Sequence, residues 1–548
     1  MKQSWKFAIF PLIFLWLSGA LWAGELLTRA EKSDYTETTR YAEVIDFLKN
    51  LQTKSSEIRV LPLTKSTEGR TIPLVILGSP VPSSPKELRR LGKPAIYIQA
   101  NIHAGEVEGK EAVLMLIREI LLGKSHHLLD NQVLLITPIY NPDGNEKISK
   151  TNRTNQHGPK GGVGVRYNGQ HLDLNRDYIK LESPENLAAV EKILNFWDPM
   201  LLMDLHTTNG SYHIEPLTYA TAHNPNGDTR LPAYLREKLF PHVSRVLEKE
   251  YGILSIPYGF FRDSTDPGKG WGTYGHQPYY GTNYWGLRNR FSILDENYAY
   301  ADFKTRVQAC YHFVEQILEF TNKHTEEMVR MVADADAKTV AYGTSPDTSK
   351  KFGTEFKAVA FEKPILIRGY DFEIYKDKRG RQRAKKLDSR HDYTVPFYGD
   401  FTVTKAIPLA KGYLFPAYLK EIAAKLSEHG ILVEKLTQSV KISVEAFRVK
   451  KAEHSKRMFQ GHLPTTLQGE YEKSEVEFPE GTYFVGMDQP LANLAAYLLE
   501  PTSDSGLVFW NFFDRYLYIS QWGRQFGEFP VYRLLEPTPL AKMVTNGQ

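Results

Sequence analysis

The sequence predicts an α/β fold, a sheet sandwiched by helices, followed by an α+β module. Three observations predict it. Short apolar runs of strand length alternate with stretches of helical periodicity as far as about residue 320. The runs at 95–100, 200–205 and 291–294 are each followed closely by imidazole or acidic side chains, where open α/β sheets carry their chemistry. Beyond residue 323 the texture shifts to longer alternating runs around one helical stretch, with no internal repeat. A chain of 548 residues is also too long for one ordinary core. The expected division is a signal segment at 1–23, a catalytic domain at 24–323 and a module at 324–548.

Lys2 and Lys6 precede an apolar run over 7–22, and Ser18, Gly19, Ala20 and Ala23 offer cleavage sites, the pattern of a secretory signal peptide. An exported mature chain, periplasmic or secreted and without stable membrane insertion, is expected. Its single cysteine, Cys310, can form no internal disulfide, which suits a bacterial periplasm better than a disulfide-stapled extracellular domain. With 68 basic against 64 acidic residues the net charge is +4, which gives no reason to invoke nucleic acid. The basic run over 376–386 reads as a solvated hairpin turning at Gly380.

The first elements expected are a helix over 41–51 and strands at 61–63 and 72–77 around the turn 66–70. A strand then enters His103, a helix over 112–122 closes at Gly123, and 132–138 is β-rich. The stretch 141–170, rich in Gly, Asn and Thr, is too long for a simple connection and reads as a functional loop. Ser183 caps a helix over 184–197, and a strand over 200–205 ends in His206. After a helix over 231–251, the segment 258–290 is crowded with Gly, Tyr and Trp and reads as a pocket-lining loop rather than a core element. A strand at 291–294 and a helix over 305–320 close the first domain. In the module, 356–374 and 392–406 read as paired strands, 417–429 as a helix stopped by Gly430, and 433–449 as a strand; no ligand or nucleophile spacing occurs there.

A hydrolytic zinc site needs three protein ligands and an open position for water, so its signal is a close ligand pair with a distant third. His103 and Glu106, in Asn101-Ile102-His103-Ala104-Gly105-Glu106, form the pair, and His206 is the third. Small or polar residues follow each, Ala104-Gly105 and Thr207-Thr208-Asn209, and leave room beside a metal. Between them, Leu172-Asp173-Leu174-Asn175-Arg176-Asp177 offers Arg176 as a fork for a carboxylate and Asp173 as an acceptor able to orient a ligand histidine. At the end of the run 291–294, either Asp295 or Glu296 can serve as a general base.

In this order the residues carry a resemblance. The chain over 41–320 resembles the A/B-type, carboxypeptidase A-like zinc metallocarboxypeptidases, and within them a bacterial exported subset with a C-terminal extension. That resemblance implies a mixed eight-stranded sheet and one Zn2+ per chain held by His103, Glu106 and His206. It further implies Asn175 and Arg176 on a substrate's terminal carboxylate, Asp173 behind a ligand histidine and Glu296 as the base. Tyr274 stands at the position of a substrate-contacting tyrosine, with Tyr279, Tyr280 and Tyr284 close by in sequence. Arg153 or Arg166 serves the oxyanion. With little chain between the signal segment and Tyr41, an inhibitory pro-domain is not expected. The expected partner is a peptide with a free C-terminal carboxylate. Two other readings are a zinc amidase acting on cell-wall peptides and a catalytically silent binding protein that kept the fold.

Overall fold

A computed structural model of the chain describes residues 26–517 and 527–545, so the expected signal segment lies outside the described residues. Eight strands form the central sheet: β1 (Ile58–Lys65), β2 (Thr71–Leu77), β3 (Ala95–Ala100), β4 (Val133–Thr137), β5 (Leu201–Thr208), β6 (Leu217–Thr221), β7 (Ser255–Pro257) and β8 (Phe291–Tyr298). Their spatial order is β1-β2-β4-β3-β5-β8-β6-β7. The sheet is mixed: β4, β3, β5 and β8 run parallel, flanked by antiparallel pairings of β1 with β2, β2 with β4, and β8 with β6.

Central strands buried on both faces lose the polar alternation of an edge strand and read as apolar runs, which is how their sequence announced them. The two faces still differ. Ile96, Ile98, Leu201, Met203, Leu205 and Ile293 pack into a core closed by the helices Tyr41–Lys54, Glu108–Leu122, Phe240–Tyr251 and Phe303–Thr344. Tyr97, Leu202 and the alternate residues of β2 and β4 turn the other way. There they meet the segment after Ser183, the helix Gly281–Leu287, and much of the chain beyond residue 340.

That later part contains a seven-stranded sheet, ordered Thr465–Phe478, Val440–His454, Glu528–Leu534, Gly412–Phe415, Tyr483–Gly486, Glu434–Leu436 and Lys542–Val544. The helices Lys420–Glu428 and Ala492–Leu499 pack on it. Leu426, Val485, Leu498 and Val531 share one continuous core with Tyr97 and Leu202 of the central sheet. Two nested hairpins precede it. Lys351–Val359 pairs with Asp400–Pro408, and within them Ile365–Lys376 pairs with Gln382–Val395 around the expected turn at Gly380. Among the described residues no helix is long and apolar enough to cross a membrane.

Several expected elements come out longer. The helix expected at 112 begins at Glu108, because its first turn is polar yet buried. Glu111 accepts hydrogen bonds from Thr38 and Thr39, Lys110 donates to Asn145, and Glu108 pairs with Arg306. The helix expected at 305–320 runs from Phe303 to Thr344, with a break in regular geometry at His324. Past that break a thin stripe of Met328, Ala335 and Tyr342 carries it, among charges that conceal the periodicity. The segment 258–290 departs most: the helix Gly281–Leu287 is core, with Tyr284 and Trp285 almost wholly buried. Large rings bury much apolar area, and the Tyr284 hydroxyl finds a partner in His429 Nδ1 at 2.7 Å.

Gly109 sits where the helix Glu108–Leu122 crosses β5, and a Cβ there would lie 2.6 Å from Leu205 Cβ. Alanine in a helix is ordinarily favoured over glycine by about 1 kcal/mol, but here the clash is with an atom tied to a central strand. Gly109→Ala is therefore expected to destabilise by about 1–3 kcal/mol, read as a lowered urea midpoint with unchanged m-value; a raised midpoint would refute the close packing.

Candidate metal centre

The pairing of β5 with β8 builds the centre. In this parallel ladder Glu296 lies beside His206, Asp295 beside Leu205 and Leu294 beside Asp204. Neighbours in register share a face. Glu296 therefore stands with His206 and Asp204 on one face, while Asp295 stands with Leu205 on the other. Both strands continue past the expected ends, so His206 and Glu296 are strand residues rather than the first residues beyond.

His103 and Glu106 arrive from β3. Asn101 takes left-handed backbone (φ 65°), a conformation asparagine tolerates, and Asn101 Nδ2 donates to the Glu106 carbonyl at 3.1 Å. Glu106 N–H donates to His103 O at 2.8 Å, a tight turn that folds the two side chains together. Glu106 Oε1 lies 3.0 Å from His103 Nδ1 and its Oε2 lies 2.8 Å from His206 Nδ1. The ligand atoms of His103, Glu106 and His206 all lie within 4.8 Å of one another, the only such group of three His, Cys, Asp or Glu among the described residues.

Each histidine turns Nδ1 inward and Nε2 onto an acid. His103 Nε2 is 3.0 Å from Asp173 Oδ1, and His206 Nε2 is 2.9 Å from Asp204 Oδ2. Carboxylates so placed fix the tautomer that leaves Nδ1 free to bind metal. Asp204 in turn accepts from Gln99 Nε2 at 3.0 Å. Sequence reasoning missed Asp204, although its place two residues before His206 on a strand puts it on the same face.

The donor set fits a cation. The two Nδ1 atoms stand 3.1 Å apart, a separation at which they can share at most one proton. Burial and the charges of Glu106 and Asp295 push the Glu296 carboxyl up to about 8. A divalent ion relieves both conditions at once. Around it, burial opposes the charge of Asp173, but His103 and Arg166 hold its carboxyl far below the usual range.

The centre opens into a cavity of about 240 Å³ that receives both candidate arginines, Arg176, Tyr274, Tyr280 and Glu296. Arg153 Nη2 is 2.6 Å from Glu106 Oε1; Arg166 Nε donates to Asp173 Oδ2 at 2.8 Å, and its Nη1 is 3.6 Å from Glu106 Oε1. Arg176 lies over the Tyr280 ring at 4.2 Å and donates to Asn175 O, with no carboxylate paired to it among the described residues.

Asn175 borders the cavity and is anchored through its side-chain oxygen. Its Oδ1 accepts from Gly281 N–H at 2.8 Å, and its Nδ2 lies 3.2 Å from His206 Nε2. Tyr274 Oη is held by Thr221 O and Thr282 Oγ1 at 3.1 and 2.7 Å. Of the other tyrosines, Tyr280 lines the cavity, whereas Tyr279 faces Phe459 and Trp510, and Tyr284 is buried behind.

Asp295 packs against the helix Phe303–Thr344 on the far face, 3.0 Å from Cys310 Sγ, and burial raises its carboxyl from an ordinary 3.8 to about 7. In the metal-free protein the folded chain therefore keeps a proton that the unfolded chain releases near pH 4, so Asp295 costs stability increasingly as the pH rises from about 4 to about 7. Asp295→Asn is expected to flatten the urea-unfolding profile over that interval by up to about 1.4 kcal/mol per pH unit. Parallel profiles would mean that Asp295 is ionised in the fold.

The zinc carboxypeptidase family model matches residues 44–195, the segment that holds His103, Glu106 and Arg176. Carboxypeptidase 2 of Trichophyton tonsurans is 24% identical over 454 residues, covering 80% of this chain and 77% of its own. Carboxypeptidase M of Mus musculus is 30% identical over 185 residues, 31% of this chain and 39% of its own. Carboxypeptidase A of Helicoverpa armigera is similar in structure at a TM-score of 0.38, with 18% identity over 55% of this chain and 75% of that one. These sequence relatives are fungal and murine, and they do not bear on the bacterial subset expected above. The match over residues 44–195, the carboxypeptidase relatives and the buried His-Glu-His triad together indicate a hydrolase similar to the zinc carboxypeptidases, with zinc as its metal.

Proposed function

We propose that the protein removes residues from the C-terminal end of peptides, with zinc held by His103, Glu106 and His206. One observation carries the reading: a single cavity brings His103 and Glu106 of the triad together with Glu296, the in-register neighbour of His206, and with Arg176, a guanidinium with no acid partner among the described residues. Bound zinc supplies Lewis acidity toward a water and the scissile carbonyl.

The chain's own groups do the rest. Glu296 takes the proton of the attacking water and returns it to the leaving amine. Arg153 or Arg166 donates N–H groups to the carbonyl oxygen as negative charge develops there. Arg176 anchors the terminal carboxylate, and with it the requirement for a free chain end. The hydrogen bond from Gly281 N–H to Asn175 Oδ1 supports a bracing role for that residue beside the carboxylate contact expected for it. We also propose export, on the strength of Lys2, Lys6 and the apolar run over 7–22.

Arg176→Ala is expected to lower kcat/KM on free-ended peptides by the equivalent of about 2–5 kcal/mol while barely changing any slow cleavage of the amidated versions. An equal loss on both would remove Arg176 from carboxylate recognition. Glu296→Gln should cut turnover by about two to four orders of magnitude with one zinc still bound per chain by metal analysis. Turnover near wild type in that variant would sink the base assignment.

A further inference from the structure

The two longest strands of the C-terminal sheet, Val440–His454 and Thr465–Phe478, are joined by a loop that narrows to a two-residue turn. Across it Phe459 N–H donates to His462 O at 2.8 Å and His462 N–H to Phe459 O at 3.0 Å. The central pair, Gln460 and Gly461, both have positive φ, 50° and 82°. This is type I′ geometry, which favours Asn, Asp or Gly at the first central position. A glutamine held there sits in backbone it does not favour, an outlier that asks for a reason.

The reason is at the end of the side chain. Gln460 Oε1 accepts the Asp173 N–H at 3.0 Å, across 287 residues of sequence. Asp173 is only 4% exposed, so that N–H has little water to turn to. The turn is firmly seated: His462 Nε2 is 2.8 Å from Glu182 Oε1, His462 Nδ1 is 3.0 Å from Asn511 Oδ1, and the Phe459 ring stacks on Trp510. Asparagine would suit the turn better and would be one methylene too short to reach Asp173.

We infer that this turn of the C-terminal module is a positioning element of the metal centre: Gln460 fixes the backbone at Asp173 and, through the Asp173 carboxylate, the orientation of His103. The inference rests on His103, Glu106 and His206 being the zinc ligands. Its contacts run from Gln460 Oε1 to Asp173 N, and from Asp173 Oδ1 to His103 Nε2 at 3.0 Å, with His103 Nδ1 facing the centre. Loss of the partner behind a metal ligand ordinarily weakens metal binding about 10- to 100-fold, so a contact one step further out is worth about threefold to tenfold.

The test uses the full chain and two variants. Gln460→Met keeps length and loses the acceptor; Gln460→Asn eases the turn and loses the reach. Zinc dissociation constants, measured by competition with a chromophoric chelator, are expected to rise about threefold to tenfold in both. The visible spectrum of the cobalt-substituted protein should shift in both. The melting temperature of the metal-free protein should fall by a few degrees in the methionine variant, which leaves the Asp173 N–H without its acceptor, and by less in the asparagine variant, where the eased turn offsets that loss, so that equal weakening of zinc binding comes with unequal loss of stability. Wild-type affinity and spectrum in both variants, in a protein whose zinc is weakened by Asp173→Asn, would overturn this inference alone. Zinc affinity that His103→Ala leaves intact would overturn the ligand reading and the inference with it.

Discussion

The register of β5 against β8 is the constraint on which the rest of the centre depends. It brings His206 and the cavity-facing Glu296 side by side without any loop having to hold them, on strands bonded to neighbours along both edges. A slip of one residue would carry Asp295 into the cavity and Glu296 into the helical core. Several contacts guard against that slip. Leu205 packs on Gly109, Asp295 lies against Cys310, and Gln99 of β3 reaches across to Asp204.

Charge is arranged around that register in shells of alternating sign. The triad brings one carboxylate to two imidazoles, the outward nitrogens meet Asp173 and Asp204, and Arg153 and Arg166 close the rim over Glu106. Buried ions this dense persist only when each has a partner and when their hydrogen bonds are satisfied. The arginines thus serve the resting protein as well as any reaction. Arg176 is the exception on the rim: it feels the charge of Asp173 across space but is paired with no carboxylate among the described residues, lying against an aromatic face and a carbonyl instead.

Much of this was legible in the sequence because it rests on short-range signals. His103 and Glu106 share one turn, apolar runs mark β3, β5 and β8, and Ser183 caps its helix as expected, accepting from Asn186 N–H. What stayed hidden was decided by distant partners. The choice between Asp295 and Glu296 is a matter of face, which only pairing defines. The first turn of the helix at Glu108 reads as surface because its partners come from far along the chain: Thr38 and Thr39 donate hydrogen bonds to Glu111, and Arg306 neutralises Glu108. Gln460 belongs to the same class: nothing local to the sequence Phe459-Gln460-Gly461-His462 points to Asp173.

The continuous core joining Tyr97 and Leu202 to Val485 and Val531 also governs timing. Contacts as distant as that of Gln460 with Asp173, across 287 residues, are among the costliest to close, because the chain entropy they surrender is spent before any burial is returned. One face of the central sheet is therefore covered only in part, by the segment after Ser183 and the helix Gly281–Leu287, until the later strands have been made, and a nascent chain in that state still exposes apolar surface. Late closure of this kind leaves the sheet dependent on the last-made strands to complete its cover.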